Sequence, residues 1–161
     1  MSQMMPQTTP LFARRRPGLL LSLGLAVALA LGAGQSFGAE EAQDPDVRAR
    51  IALMQELKSA TGLFADMAEG RKPFDAAALE AAIEAFRTKA DQVEVVFKPR
   101  ADDPASEALP DIWNAPAEFR QKVSRMMRAA NGLEGASPRA LADTLAPVTA
   151  ACKDCHGRFK M

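Results

Sequence analysis

Apolar residues recur at steps of three and four in four separate stretches of this 161-residue chain, and no stretch alternates with period two for long enough to make a strand. That rhythm gives each of four helices one apolar face. Leu53, Leu57, Ala60, Phe64 and Met67 form the first face, with Val47, Ile51 and Met54 as a second stripe beside it. This helix opens at Asp44-Pro45, an N-cap followed by proline at the first helical position, and runs to Gly70, which suits a left-handed stop. The second opens at Asp75, with Phe74 and Leu79 at the spacing of a hydrophobic staple. Its face, Leu79, Ile83, Phe86, Ala90, Val93 and Phe97, ends at Lys98-Pro99. The third starts at Asn114 or Ala115, with Pro116 in its first turn, and presents Phe119, Val123, Met126, Ala130 and Leu133. The fourth starts at Ser137-Pro138 and presents Leu141, Leu145, Val148, Cys152, Cys155 and Phe159; Pro147 is expected to kink it near residues 143–147. The stretch from Pro99 to Trp113 holds three prolines and reads as a long linker along the outside. The expected fold is all-α: an antiparallel up-and-down four-helix bundle.

The helical pattern leaves the N-terminus out. Residues 1–38 contain no acid, three bases (Arg14, Arg15 and Arg16), an apolar run from Leu19 to Gly34, and then the small-residue stretch Ser36, Phe37 and Gly38. These are the parts of a secretory signal peptide cleaved near Gly38. The competing reading is an uncleaved membrane anchor, but 16 residues fall short of the roughly 20 that span a bilayer. The expected mature domain is residues 39–161. Three of the twenty basic residues leave with the signal and all twenty acidic ones remain, so its net charge is −3. With 25% charged and 48% apolar residues the chain is neither disordered nor polytopic. No basic excess suggests nucleic acid.

The chemistry lies in the last ten residues. Cys152-Lys153-Asp154-Cys155-His156 is a CxxCH sequence, which reads as covalent attachment of a c-type haem. On a helix, positions i, i+3 and i+4 share a face. Two thioethers would then fix one edge of the macrocycle while the neighbouring imidazole binds its iron. These are the only cysteines and the only histidine in the chain. Three other readings compete. A thioredoxin-like pair wants a βαβ setting; a structural zinc site normally has four ligands; a disulfide across so short a loop stabilises little. Export favours haem, because a free CxxC would oxidise in the compartment reached.

With these residues in view, the chain resembles the cytochrome c′ and cytochrome c-556 group of class II c-type cytochromes. The resemblance spans the expected mature chain. It rests on the C-terminal CxxCH followed by aromatic and basic residues to Lys160, on Arg50-Ile-Ala-Leu-Met54, and on Leu109-Pro-Asp-Ile-Trp113 ahead of Pro116 and Phe119. It implies a four-helix bundle with one covalent haem c, thioethers at Cys152 and Cys155, and His156 as the fifth ligand. It places Met54 toward the opposite side of the iron and Arg50 near a haem propionate. Lys160 matches the basic residue that ends the motif. By spacing alone, Met54 also fits core filling and Arg50 a solvated helix edge. Trp113 and Phe119 read as staples of the third helix.

The expected function is one-electron transfer between redox partners in the periplasm, by a protein that is not an enzyme. A methionine bound to iron gives a low-spin carrier. The alternative is a five-coordinate, high-spin haem that binds nitric oxide or carbon monoxide. A homodimer through the doubled stripe of the first helix is the competing use of Val47, Ile51 and Met54; the other is to cover the haem. Haem insertion is also expected to be coupled to bundle stability, since Met54, Val148 and Phe159 would otherwise line a void.

Overall fold

The computed structural model describes residues 41–161, all helix and connection with no strand among them. The signal-peptide reading of residues 1–38 lies outside the described residues. Five helices follow in order: α1 Pro45–Ala68, α2 Ala76–Val96, α3 Asp111–Asn114, α4 Pro116–Asn131 and α5 Pro138–Phe159.

Their starts follow the cap residues. The Asp44 carboxylate accepts from the amides of Asp46 at 2.8 Å and Val47 at 3.1 Å, Asp75 from Ala78 at 3.0 Å, and the Ser137 hydroxyl from Ala140 at 3.1 Å. Each satisfies donors that the first turn leaves orphaned. At the end of α1, Gly70 takes φ +74°. Its amide donates to Met67 at 3.3 Å and that of Arg71 to Asp66 at 2.8 Å, the paired bonds of a Schellman stop.

One helix expectation needs correction. The linker is not irregular up to residue 113, because α3 forms a single turn there before Ala115 breaks the path and α4 begins at Pro116. Four residues are too few to show a period, and Pro110 starts the turn with no side-chain cap. α5 runs as one helix from Pro138 to Phe159 with Pro147 inside it. The proline lies on the exposed side, so the Asp143 carbonyl it leaves without a donor faces water rather than the core.

α1, α2, α4 and α5 form a ring in which each packs on two others: α1 on α2 and α5, and α4 on α2 and α5. Partners run antiparallel. Arg50 reaches Val96, Glu56 pairs with Lys89 and Phe64 meets Phe86, so numbers rise along α1 as they fall along α2. Glu118 meets Arg158 while Lys122 and Arg125 meet Asp154, the same reversal between α4 and α5. The linker between α2 and α3 returns alongside the C-terminus. There the Leu109 amide donates to Phe159 and the Met161 amide to Glu107, both at 2.9 Å. An isolated bridge pairs Ala108 with Lys160. A single chain of aromatic contacts, Phe97 to Phe119 to Phe159, ties the linker end to α4 and α5 at centroid distances of 5.5 and 5.4 Å.

Candidate functional site

A cavity of about 610 Å³ opens between α1, α2, α4, α5 and the linker. Its size lies within the roughly 300–1,000 Å³ typical of cofactor pockets. From α5 it is lined by Cys152, Cys155, His156 and Phe159, and from α1 by Val47, Arg50, Ile51 and Met54. All five residues singled out by the sequence (Cys152, Cys155, His156, Met54 and Arg50) therefore meet on one hollow. The second stripe of α1 faces it as well.

Both cysteines are half-buried, whereas Lys153, Asp154 and His156 are exposed, so the CxxCH turn lies with its thiols inward and its intervening residues at the surface. Burial pushes the Cys152 thiol above its ordinary value and that of Cys155 up to about 11. Redox and zinc-binding cysteines need the opposite environment, one that favours the thiolate. Among the described residues no three His, Cys, Asp or Glu side chains gather as a site for a bare metal ion. His156 is held below its usual value, first by partial desolvation of its ring against the cavity wall and then by the nearby Lys160 ammonium. A neutral imidazole is the form that ligates metals. Asp154 is held low by the hydrogen bond from Lys122, at 2.8 Å, with Arg125 at the same distance on its other oxygen.

Arg50 is not the solvated edge residue that spacing alone allows: it is 3% exposed. Its Nε donates to the Val96 carbonyl at 3.1 Å, Nη1 to Ala101 at 3.2 Å and Nη2 to Pro99. The guanidinium lies over the rings of Trp113, at 5.0 Å, and Phe97, at 5.4 Å. Trp113 in turn donates its indole N–H to the Phe97 carbonyl at 2.9 Å, which makes it the staple that the sequence suggests. Every bonded partner of Arg50 among the described residues is thus a neutral carbonyl. A buried cation so placed favours an anion in the adjoining cavity. Desolvation accordingly lowers the pKa of Arg50.

The donor set fits a haem: two thiols one turn apart, an imidazole beside them, a thioether on the α1 wall and a buried cation for a carboxylate. Other cavity residues are not singled out by the sequence. Lys58 and Thr61 follow Met54 at i+4 and i+7 on the same helical face, but as polar side chains they do not extend its apolar stripe. Met126, from the apolar face of the third helix, lines the cavity from α4. The stretch Ala105–Ala108 closes one side, and Glu107 there holds Lys160 in an ion pair of 2.8 Å. No local pattern marks that stretch, because its position depends on backbone pairing with the C-terminus.

Known proteins point the same way. The family model for cytochrome c′ matches residues 46–160. Cytochrome c-556 of Agrobacterium fabrum is 28% identical over 119 residues, 72% of this chain and 81% of that protein. Cytochrome c-554 of Cereibacter sphaeroides is 29% identical over 155 residues, 89% of this chain and 95% of that protein. Among solved structures, cytochrome c′ from Rhodobacter sphaeroides superposes with a TM-score of 0.66 at 30% identity, covering 72% of this chain and 95% of its own. A variant of cytochrome c′ from Alcaligenes xylosoxidans, ferrous and with nitric oxide bound, superposes at 0.65 with 27% identity, covering 71% and 92%. The chain belongs to the cytochrome c′ family of c-type cytochromes, and its cofactor is haem c.

Proposed function

We propose that this protein carries single electrons between larger redox proteins in the periplasm, reached through the signal peptide of residues 1–38, and turns over no organic substrate. Haem, when bound, supplies the one-electron couple; the chain supplies its surroundings. Cys152 and Cys155 would hold the macrocycle by thioethers, His156 would ligate the iron, and Arg50 would balance a propionate. Met54 would supply a second protein ligand to that iron. The observation that carries this reading is Met54 on the α1 wall of the very cavity that receives Cys152, Cys155 and His156 from α5. A methionine sulfur paired with histidine raises a haem potential toward the range of electron carriers. No helix among the described residues is long and apolar enough to cross a membrane, in keeping with a carrier released into the periplasm.

The second reading, an open iron site for nitric oxide or carbon monoxide, is favoured by the relative with nitric oxide bound and by the apolar wall around Met54. Reduced spectra of the wild type and Met54→Ala, with and without carbon monoxide, separate the two. The carrier reading expects a sharp α band in the wild type and a broad, high-spin spectrum with ready carbon monoxide binding in the variant. A wild type that is already high spin and binds carbon monoxide at neutral pH gives the site to gas binding instead.

A further inference from the structure

Charge is divided unevenly around the ring of helices. Although residues 39–161 are net acidic, α4 carries four cations, Arg120, Lys122, Arg125 and Arg128, against one acid, Glu118. On α2, four acids, Glu80, Glu84, Asp91 and Glu94, face two bases, Arg87 and Lys89. Because α2 packs on α1 and α4 but not on α5, its acidic surface lies across the bundle diagonal from the helix that bears CxxCH. The basic side is sharpest at the two residues between the cysteines. Asp154 there is bonded by both Lys122 and Arg125, and Lys153 adds a third cation beside it. Arg125 keeps half its side chain exposed and Lys153 is exposed. Three cations around one carboxylate leave a local positive excess directly outside the half-buried Cys152 and Cys155.

We propose that the surface formed by Arg125 and Lys153 around Asp154, with the mostly covered Lys122 behind it, is the docking face for an acidic redox protein. This rests on the electron-carrier reading. The face offers charge complementarity directly outside Cys152 and Cys155, which would hold the cofactor, and the acidic α2 points the opposite way, so the molecule is oriented as it approaches. Such fields act on encounter rates, by about 10- to 1,000-fold, and are screened by salt.

The test uses holoprotein and two small probes of opposite charge, ferricyanide and a cationic cobalt(III) complex, with electron-exchange rates measured from low to high sodium chloride. Ferricyanide is expected to react about tenfold faster at low salt than at high salt, and the cobalt complex to show the reverse trend. Lys153→Glu and Arg125→Glu should each lower the low-salt ferricyanide rate several-fold, with the potential recorded alongside to correct for driving force. Lys153 has no ion-pair partner among the described residues, so its variant keeps the test valid even if Arg125→Glu disturbs the α4–α5 contact. Rates that ignore salt and both substitutions overturn the docking face and leave the carrier reading intact. Failure to exchange electrons with either probe overturns both. Low-salt self-association that Lys153→Glu abolishes assigns the face to a second copy, through its acidic α2, and overturns the acidic-partner proposal.

Discussion

The two ends of the bundle are filled by different means. Around the lower half of α1 and the start of α2, the chain fills its own interior. Phe64, Leu79, Ile83 and Leu141 are wholly buried there, none of them lining the cavity, and Phe64 meets Phe86 edge to face at 5.7 Å at the boundary between the two ends. At the other end, the upper half of α1 and the last turns of α5 face a hollow of about 610 Å³ that side chains do not fill. The first end is a core that sequence pattern alone can specify. The second is a shell around a cofactor-sized hollow, and its stability is expected to depend on the cofactor.

The sharpest way to break that contrast is to remove the thioether anchors. Cys152→Ala with Cys155→Ala should abolish covalent haem and loosen the cavity end first. At ~24 cal/mol per Å³ of void, even a third of the cavity left dry costs about 5 kcal/mol, comparable to the low end of a domain's total stability. Hydrogen exchange should show α5 beyond Val148 and α1 up to Met54 losing protection, while the segments around Phe64 and Leu79 keep more of it. Wild-type protection at both ends in the haem-free variant would refute that dependence on the cofactor.

The converse experiment strikes the self-filled end. Phe64→Ala should cost about 3–5 kcal/mol in chemical denaturation, since it removes a fully buried ring and its edge-on contact with Phe86. The haem spectrum of the folded variant should not change, because Phe64, unlike its partner Phe86, does not line the cavity. A shifted spectrum would mean that the two ends are mechanically coupled.

Between them stands the Arg50 cluster, which joins α1 to the linker. Arg50→Met should cost about 2–4 kcal/mol by leaving the carbonyls of Val96, Pro99 and Ala101 without their donor. Trypsin should then cut after the exposed Arg100 faster than in the wild type, and Arg50→Lys should restore only part of the resistance, since an ammonium cannot present the same planar fork. Equal cutting in all three proteins would mean that the linker is held by its other ties.

The self-filled end was also the legible one. Leu53 to Met67 and Leu79 to Phe97 announce their faces by period, and Asp44, Asp75, Ser137 and Gly70 announce the ends by cap chemistry, because all of these are local. CxxCH is legible for the same reason: three ligating groups fall within five residues. Arg50 and the Ala105–Ala108 segment are different. Whether an arginine in a helix is solvated or buried depends on which carbonyls arrive from 46 to 51 residues away. The linker's path depends on bonds to Phe159 and Met161 that no window of sequence contains. The one-turn α3 lacked both a period and a side-chain cap.

The smallest predicted effect concerns how that linker is tied at its middle. The Asp103 carboxylate accepts from the amides of Gln43 at 2.7 Å, Asp44 at 2.9 Å and Ala105 at 2.9 Å, so one half-buried residue fastens the entry of α1 to the linker. Those amides, that of Asp44 foremost and then that of Ala105, hold its pKa below the ordinary value. A carboxylate whose folded-state pKa is depressed contributes stability above its unfolded pKa, near 3.9, and loses it as pH falls through the lower folded value. The contribution should therefore be complete at neutral pH and fade only below about pH 4. Asp103→Asn keeps the shape but lacks the charge and one acceptor oxygen. It should be slightly less stable than the wild type at pH 7, with the difference shrinking toward pH 3, where the wild-type carboxyl is itself becoming neutral. Paired thermal melts of the two holoproteins at those pH values provide the check. A stability gap that stays constant or widens toward acid would mean that the amides orient Asp103 without drawing on its charge, and the tie would then be one of shape alone.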